Sequence, residues 1–281
     1  MKNKVDYSLL LGGMKWSFSS INCYNNCPHC FYLTYIAKQK KEQNAFAQWG
    51  TLGHSLLERY YKGELELWDL SQKYDEEYAS KVSLEFPYNR YVDLGESYYL
   101  AGKKYFDNFQ GDFENCEILG VEQYIEIEID GYPFIGYIDL LVRTPDGIIV
   151  CDHKSKSGFK GKEKQEYLRQ LYLYSFYVKQ TYGEYPYKLM FNMFRANTWE
   201  EELFDYKALM QAKEWFVETI QKIYQEKDFK DKIALDYKTK GKLLKEFKKD
   251  DFFCNELCST PCLRSRRHQH RWKPKRGDAS K

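Results

Sequence analysis

Three side chains in the middle of the sequence have the types and spacing of a metal-hydrolase site. Asp139 lies inside an apolar run, Gly136-Tyr137-Ile138-Asp139-Leu140-Leu141-Val142, and Asp152-His153-Lys154 closes a second, Ile148-Ile149-Val150-Cys151. A carboxylate in such a run is costly to bury unless a positive charge compensates it. A divalent cation compensates it and brings chemistry of its own. Side chains alternate across a strand, so Asp152 and Lys154 leave one face and His153 the other. The turn Thr144-Pro145-Asp146-Gly147 makes the two strands neighbours and lets Asp139 approach the same point. Either piece alone reads as an edge acid or the start of a loop. The apolar surroundings of both acids are what make the pair a candidate site.

Phosphodiester hydrolysis is the chemistry such a site suits. Magnesium or manganese held by carboxylates activates water and polarises the phosphate. Lys154 is placed to position the attacking water and offset developing charge. His54 stands in the first turn of an amphipathic helix in Gly53-His54-Ser55-Leu56-Leu57-Glu58 and is a further metal-ligand candidate, although a lone histidine is more often structural. Glu58, one turn on, reads as a surface acid. Gln170 and Tyr174 also stand one turn apart. They are candidates for contact with a nucleic-acid strand, and without the adjacent Asp152–Lys154 pair they would read as an ordinary amphipathic helix.

The elements that must position these groups are legible in outline. Val121 to Ile129 alternates apolar and polar residues, Asp130-Gly131 is a hairpin turn, and a three-strand meander ends at Asp152. The segment from Cys23 to Gln39 has a helical pattern. Gly50-Thr51-Leu52-Gly53 reads as the lead into a helix over His54 to Lys62, and Glu64 to Gln110 as helical and aromatic, broken at Pro87. Glu166 to Thr181 reads as a helix, Tyr187 to Arg195 as a strand, Glu200 to Lys227 as largely helix, and Asp228 to Asp251 as charged and helical. The expected fold class is α/β, with a helical insertion near residues 63–116. One domain over 1–263 and a flexible basic tail over 264–281 are expected.

Composition sets the bounds. The 281 residues are 43% hydrophobic, enough for a core, and 18% aromatic with 26 tyrosines, which favours stacking surfaces as well as packing. The net charge of +2 carries no argument for a nucleic-acid partner. Its distribution says more: lysines crowd between Lys230 and Lys249, and a basic tail runs from Arg264 to Arg276. No apolar stretch approaches the roughly 20 residues of a membrane span. Leu9-Leu10-Leu11 is too short for a signal peptide, so a cytoplasmic location is expected and no membrane partner. In that compartment the eight cysteines read as metal ligands or thiols rather than disulfides. Cys254, Cys258 and Cys262 recur at equal intervals. Cys23, Cys27 and Cys30 offer a further thiolate, and four thiolates hold either zinc or a 4Fe-4S cluster. Joining both ends of the chain through one such centre would close a very large loop.

The ordered series His54, Asp139, Asp152-His153-Lys154 and Gln170-Leu171-Tyr172-Leu173-Tyr174 resembles the RecB-type nucleases of the PD-(D/E)XK superfamily. The resemblance implies a restriction-endonuclease-like core, a central mixed sheet flanked by helices, with a cysteine-cluster region joining the two ends of the chain. It also implies metal ligation by His54, Asp139, Asp152 and the His153 backbone carbonyl, catalysis assisted by Lys154, and DNA contact by Gln170 and Tyr174. Ser19-Ser20-Ile21-Asn22 and Cys27-Pro28-His29-Cys30-Phe31-Tyr32-Leu33 are similar to the amino-terminal segment of the iron–sulfur members. That likeness implies a 4Fe-4S cluster on Cys27, Cys254, Cys258 and Cys262, with Zn2+ at the cysteines as the alternative. The equal cysteine intervals and the extra thiols Cys23 and Cys30 depart from the family pattern, so the ligand set stays open here. The expected activity is a Mg2+- or Mn2+-dependent DNA exonuclease acting on single strands or DNA ends in recombination, repair or phage DNA metabolism. A CRISPR-associated trimming nuclease and a non-catalytic DNA-binding or assembly module are the alternatives. There is no Gly-x4-Gly-Lys-Ser/Thr loop. A helicase or recombinase partner is therefore part of the expectation.

Overall fold

A computed structural model describes residues 6–113, 115–229 and 257–260. They divide into two compact units, one from Met14–Phe18 and Ala45–Gln221, the other from Met1–Gly13, Ser19–Asn44 and Lys222–Lys281. Asp228 to Asp251, with Cys254 and Cys262, falls almost wholly outside the described residues.

The larger unit is organised by a five-stranded sheet in the order β1-β2-β3-β4-β5. Its strands are β1 (Glu117–Ile129), β2 (Tyr132–Thr144), β3 (Gly147–Lys154), β4 (Lys188–Met193) and β5 (Thr198–Leu203). Only β3 and β4 are parallel, joined by helix α7 (Glu163–Tyr182); every other pair is antiparallel. This is the mixed sheet flanked by helices of a restriction-endonuclease-like core. The meander forms because its turns demand it. Asp130 and Gly131 both take positive φ, +53° and +81°, as a tight two-residue hairpin requires. Along β1 the buried Ile125, Ile127 and Ile129 alternate with exposed Glu126 and Glu128. Central β3 is buried from Ile148 to His153, as a strand covered on both faces must be.

Two helical readings change. Helix α4 (Ala45–Tyr61) begins nine residues before His54, so Gly50 and Gly53 lie inside it instead of leading into it. Their role is close approach. A methyl group at Gly53 would sit 2.7 Å from the Phe194 ring, and one at Gly50 3.2 Å from Ser155 Oγ. Glu200 to Leu203, expected at the start of a helix, instead belong to edge strand β5 (Thr198–Leu203), entered through Asn197 at φ +55°. Glutamate favours helix only weakly, and pairing with β4 overrides it. Glu200, Glu201 and Glu202 leave a charged outer edge that discourages pairing with another chain. Helix α8 (Tyr206–Gln225) follows.

Helices α5 (Asp69–Lys81) and α6 (Leu94–Asp107) lie in the region expected to be helical, separated around Pro87. With α4 they share a core of Trp49, Leu52, Leu56, Tyr74, Tyr98 and Phe106.

The smaller unit holds α1 (Ser8–Gly12), most of α2 (Phe18–Asn26), α3 (Pro28–Phe31) and a π-helical turn, Tyr32–Ile36. Tyr7, Tyr24, Phe31 and Tyr32 surround Phe229, which is fully buried. Among the described residues no helix is long and apolar enough to cross a membrane.

Gly53→Ala is expected to destabilise the protein by about 1–3 kcal/mol, because the Phe194 ring must move to admit the methyl group. Thermal unfolding checks this; an unchanged melting temperature would show that α4 is not held at contact distance.

Candidate metal centre

The last backbone pair between β2 and β3 is Leu140↔Cys151. Asp139 and Asp152 are the next residues out, where the two strands part. The parting is bridged by a side chain: the His153 backbone N–H donates to Asp139 Oδ2 at 2.7 Å. Asp139 is thus fixed beside Asp152 by a bond that would otherwise belong to the ladder.

Two other elements complete the cluster. Helix α4 brings His54, whose Nδ1 lies 3.5 Å from Asp139 Oδ2 and 3.8 Å from Glu122 Oε1. Strand β1 brings Glu122, opposite Asp139 between the Val121↔Leu140 and Gln123↔Ile138 pairs. Ligand atoms of His54, Glu122 and Asp139 all lie within 4.8 Å of one another. Glu122 was not singled out from the sequence. Simple alternation assigns it to the face opposite Val121 and treats it as one of several outward acids. Its φ of +48°, rare for a residue with a side chain, departs from that rule within the strand.

Asp152 is 2% exposed. Its Oδ1 accepts from Gln170 Nε2 at 2.8 Å, and its Oδ2 faces Lys154 Nζ in an ion pair at 2.5 Å. Lys154 Nζ also donates to Gln170 Oε1 at 3.2 Å and lies 4.9 Å over the Tyr167 ring. Gln170 Nε2 donates in turn to the Tyr174 hydroxyl at 3.0 Å. Gln170 therefore grips both the acid and the lysine from α7. Tyr174 sits beneath them, 4% exposed, in space left by Gly136, where a methyl group would stand 2.6 Å from the ring. His153 points to the other side. Its ring stacks on Tyr61, and its Nδ1 lies 3.1 Å from Asn192 Nδ2. Glu58, as expected of a surface acid, pairs with Lys62.

The electrostatics follow from this crowding. Burial, and then the charge of Asp152, push the Asp139 carboxyl up to about 7, against the pull of His54 and Lys154. Burial lowers His54, but the Glu122 hydrogen bond and the charges of Asp139, Asp152 and Glu122 outweigh it, and the net shift is upward. Lys154 behaves likewise: burial opposes its charge, and Asp152 and Asp139 restore it, so it stays an ammonium. His153 falls well below the usual histidine range through burial and then the nearby His54 and Lys154 charges, and is neutral.

These groups fit a divalent cation. They supply one imidazole nitrogen and carboxylate oxygens, a hard donor set. Asp152 Oδ2 is buried with an ion pair but no aligned hydrogen bond. Without a cation, protons on Asp139 and His54 take up the excess negative charge.

The thiols of the smaller unit form a second group. Cys27 Sγ accepts the Cys30 backbone N–H at 3.3 Å, and Cys30 Sγ lies 3.6 Å from Cys258 Sγ. Burial, then the charges of Cys27 and Cys258, push Cys23 up to about 12. Hydrogen bonds with Cys258 and Cys27, then burial, raise Cys30. Cys30 is thus in contact with a cysteine more than two hundred residues away, a proximity that spacing alone does not reveal. Of the four ligands that the resemblance implies, Cys27 and Cys258 are described.

The family model for the PD-(D/E)XK nuclease superfamily matches residues 15–258. No curated protein matches the chain closely.

The proton balance gives a signed prediction. Asp139 binds its proton more tightly folded than unfolded, so the folded state holds the extra proton between about pH 4 and 7. Stability of the metal-free protein should therefore fall as pH rises through that window, and the raised His54 extends the trend upward. Manganese should reverse the slope, since it binds where the protons leave. Melting temperatures with chelator and with Mn2+ check this. Asp139→Asn should raise the chelator value at pH 8 and remove the Mn2+ gain; an Mn2+ gain that survives the substitution would place the ion elsewhere.

Proposed function

The chain belongs to the PD-(D/E)XK nuclease superfamily, and on that premise we propose that it is a metal-dependent DNA exonuclease acting on single strands or DNA ends. Metal-dependent nuclease activity comes with the family. The observation that carries the reading further is the meeting of His54, Glu122 and Asp139 ligand atoms within 4.8 Å beside the buried Asp152–Lys154 pair. We assign the cation, Mg2+ or Mn2+, to His54, Glu122, Asp139, Asp152 and the His153 backbone carbonyl.

Such a cation, when bound, supplies Lewis acidity and an acidified water. The chain's own residues do the rest. Lys154, held charged by Asp152 and aimed by Gln170, orients the attacking water and offsets charge on the non-bridging phosphate oxygens. Gln170 is a positioning residue: through one amide it fixes both the acid and the ammonium. Tyr174 fixes Gln170. DNA reaches this pair by way of the partly exposed edge of Gln170. His153 is neutral; it offers the cation its backbone carbonyl, while its ring packs edge-on against His54 and on Tyr61.

The exonuclease assignment is supported by the Gln170–Tyr174 motif that follows Lys154, as in the RecB-type enzymes. A helicase or recombinase partner and a cytoplasmic setting in recombination, repair or phage DNA metabolism belong to the same reading. For the cysteines we propose a 4Fe-4S cluster on Cys27 and Cys258 with Cys254 and Cys262. Its support is the packing of the Cys27–Cys30 turn and Cys258 around one point.

Two experiments test the reading. End-labelled single-stranded and duplex DNA, with free or blocked ends, should be degraded from free ends with Mg2+ or Mn2+. Asp139→Ala and Lys154→Ala should each lower the rate at least about 100-fold with the fold retained. Cleavage of end-blocked DNA at equal rate would make it an endonuclease, and no cleavage of any substrate would leave a binding module. Anaerobically purified protein should be brown and contain iron and sulfide, and Cys258→Ser should bleach it whereas Cys116→Ser does not. A colourless, zinc-containing protein would replace the cluster with a zinc site.

A further inference from the structure

Beside the metal centre the β1–β2 ribbon carries two tyrosines that stay exposed among the described residues. Tyr124 and Tyr137 form a direct cross-strand pair. Their rings are 5.3 Å apart at 57°, and the residues are 42% and 56% exposed. Tyr88, Tyr91 and Tyr206 are also exposed, so exposure alone does not single the pair out; its ring–ring contact and its position do. The placement is specific. Tyr124 lies two residues beyond Glu122 on β1, and Tyr137 two residues before Asp139 on β2. Two residues of strand span about 7 Å, roughly one nucleotide step of an extended DNA strand.

The pair is also held in place. The Tyr124 hydroxyl donates to Glu126 Oε2 at 2.7 Å, and Lys15 Nζ pairs with Glu126 Oε1 at 2.6 Å. Lys15 is brought there because the Trp16 backbone bonds to both Pro133 and Ile135 of β2. The Tyr137 backbone N–H reaches the Tyr174 hydroxyl, tying this rung of the ribbon to the residue that fixes Gln170. The result is two braced aromatic faces, with an ammonium alongside, one nucleotide step from the acids.

We propose that Tyr124 and Tyr137 form a stacking platform for an unpaired base of the DNA strand whose neighbouring phosphate enters the metal centre. A base offers a π-face to such a platform only when it has left its duplex stack, so the pair selects single-stranded over paired DNA. Lys15 supplies a cation for the strand's backbone, in exchange for its pairing with Glu126. The identity of the neighbouring site rests on the nuclease reading above; the binding of a single strand does not.

The test is binding without turnover. A fluorescein-labelled oligo-dT strand, its hairpin duplex counterpart and an abasic strand of equal length are titrated in Ca2+, with anisotropy as readout. Tyr124→Ala/Tyr137→Ala should weaken oligo-dT binding about 10-fold or more, because stacking on one ring contributes about that much per base. Tyr124→Phe/Tyr137→Phe should retain it. Duplex and abasic affinities should change less than about twofold. Equal loss for oligo-dT and duplex would overturn the platform. So would unchanged oligo-dT binding in the alanine variant, including the case where sedimentation shows that the rings instead hold a second copy. Loss in the phenylalanine variant equal to that in the alanine variant would assign the effect to the hydroxyls and overturn it as well. A protein that binds through these rings but never cuts would keep the platform and lose the nuclease reading; one that cuts but binds oligo-dT independently of the rings would do the reverse.

Discussion

The structure turns on the mutual repulsion of carboxylates brought together where two strands part. Asp139 and Asp152 occupy the first unpaired rung beyond Leu140↔Cys151, and Glu122 faces them from the next strand. Groups of like charge at this separation, withdrawn from water, cannot all ionise without compensation. Every polar partner nearby answers that constraint. Lys154 neutralises Asp152, the His153 N–H and His54 address Asp139, and Gln170 holds acid and ammonium in register. A cation completes the balance in the way protons can only imitate.

The scaffold serves this arrangement by letting elements come unusually close. Glycines in α4 let the helix that carries His54 press against Phe194 and Ser155, and Gly136 opens the seat for Tyr174. The sheet itself is ordinary. What distinguishes the site is that four separate elements, α4, the β1–β2 ribbon, β3 and α7, each deliver one or two groups to a common point. Each delivery depends on backbone geometry more than on the group delivered.

Much of this was legible in the sequence. The meander could be read because its turns are local: Asp130-Gly131 and Pro145-Asp146-Gly147 specify hairpins wherever they occur between apolar runs. The acid–lysine strand could be read from alternation alone. Other parts could not. Glu122 became a site residue through a positive φ in mid-strand, which periodicity does not encode. Gly50 and Gly53 looked like a break because their purpose, contact with Phe194 and Ser155, lies across the fold. The glutamates of β5 favoured a helix on propensity and became a strand by pairing. Tyr174 looked available to DNA because its burial depends on the missing side chain of Gly136.

His153 offers a lesson for comparing related sequences. Its ring is enclosed by Tyr61, by Asn192 on the adjoining strand and, edge-on at 5.9 Å, by the ring of His54, and it does not reach the acids or the ammonium on either side of it. Natural variation at this position should therefore follow the volume and polarity of the interior, in step with Asn192 and with the packing of the His54 ring. A relative with an apolar residue of similar volume between its acid and its lysine would keep this packing, whereas one that kept the histidine and lost the glycine beneath Tyr174 would have lost the seat of the ring that holds Gln170.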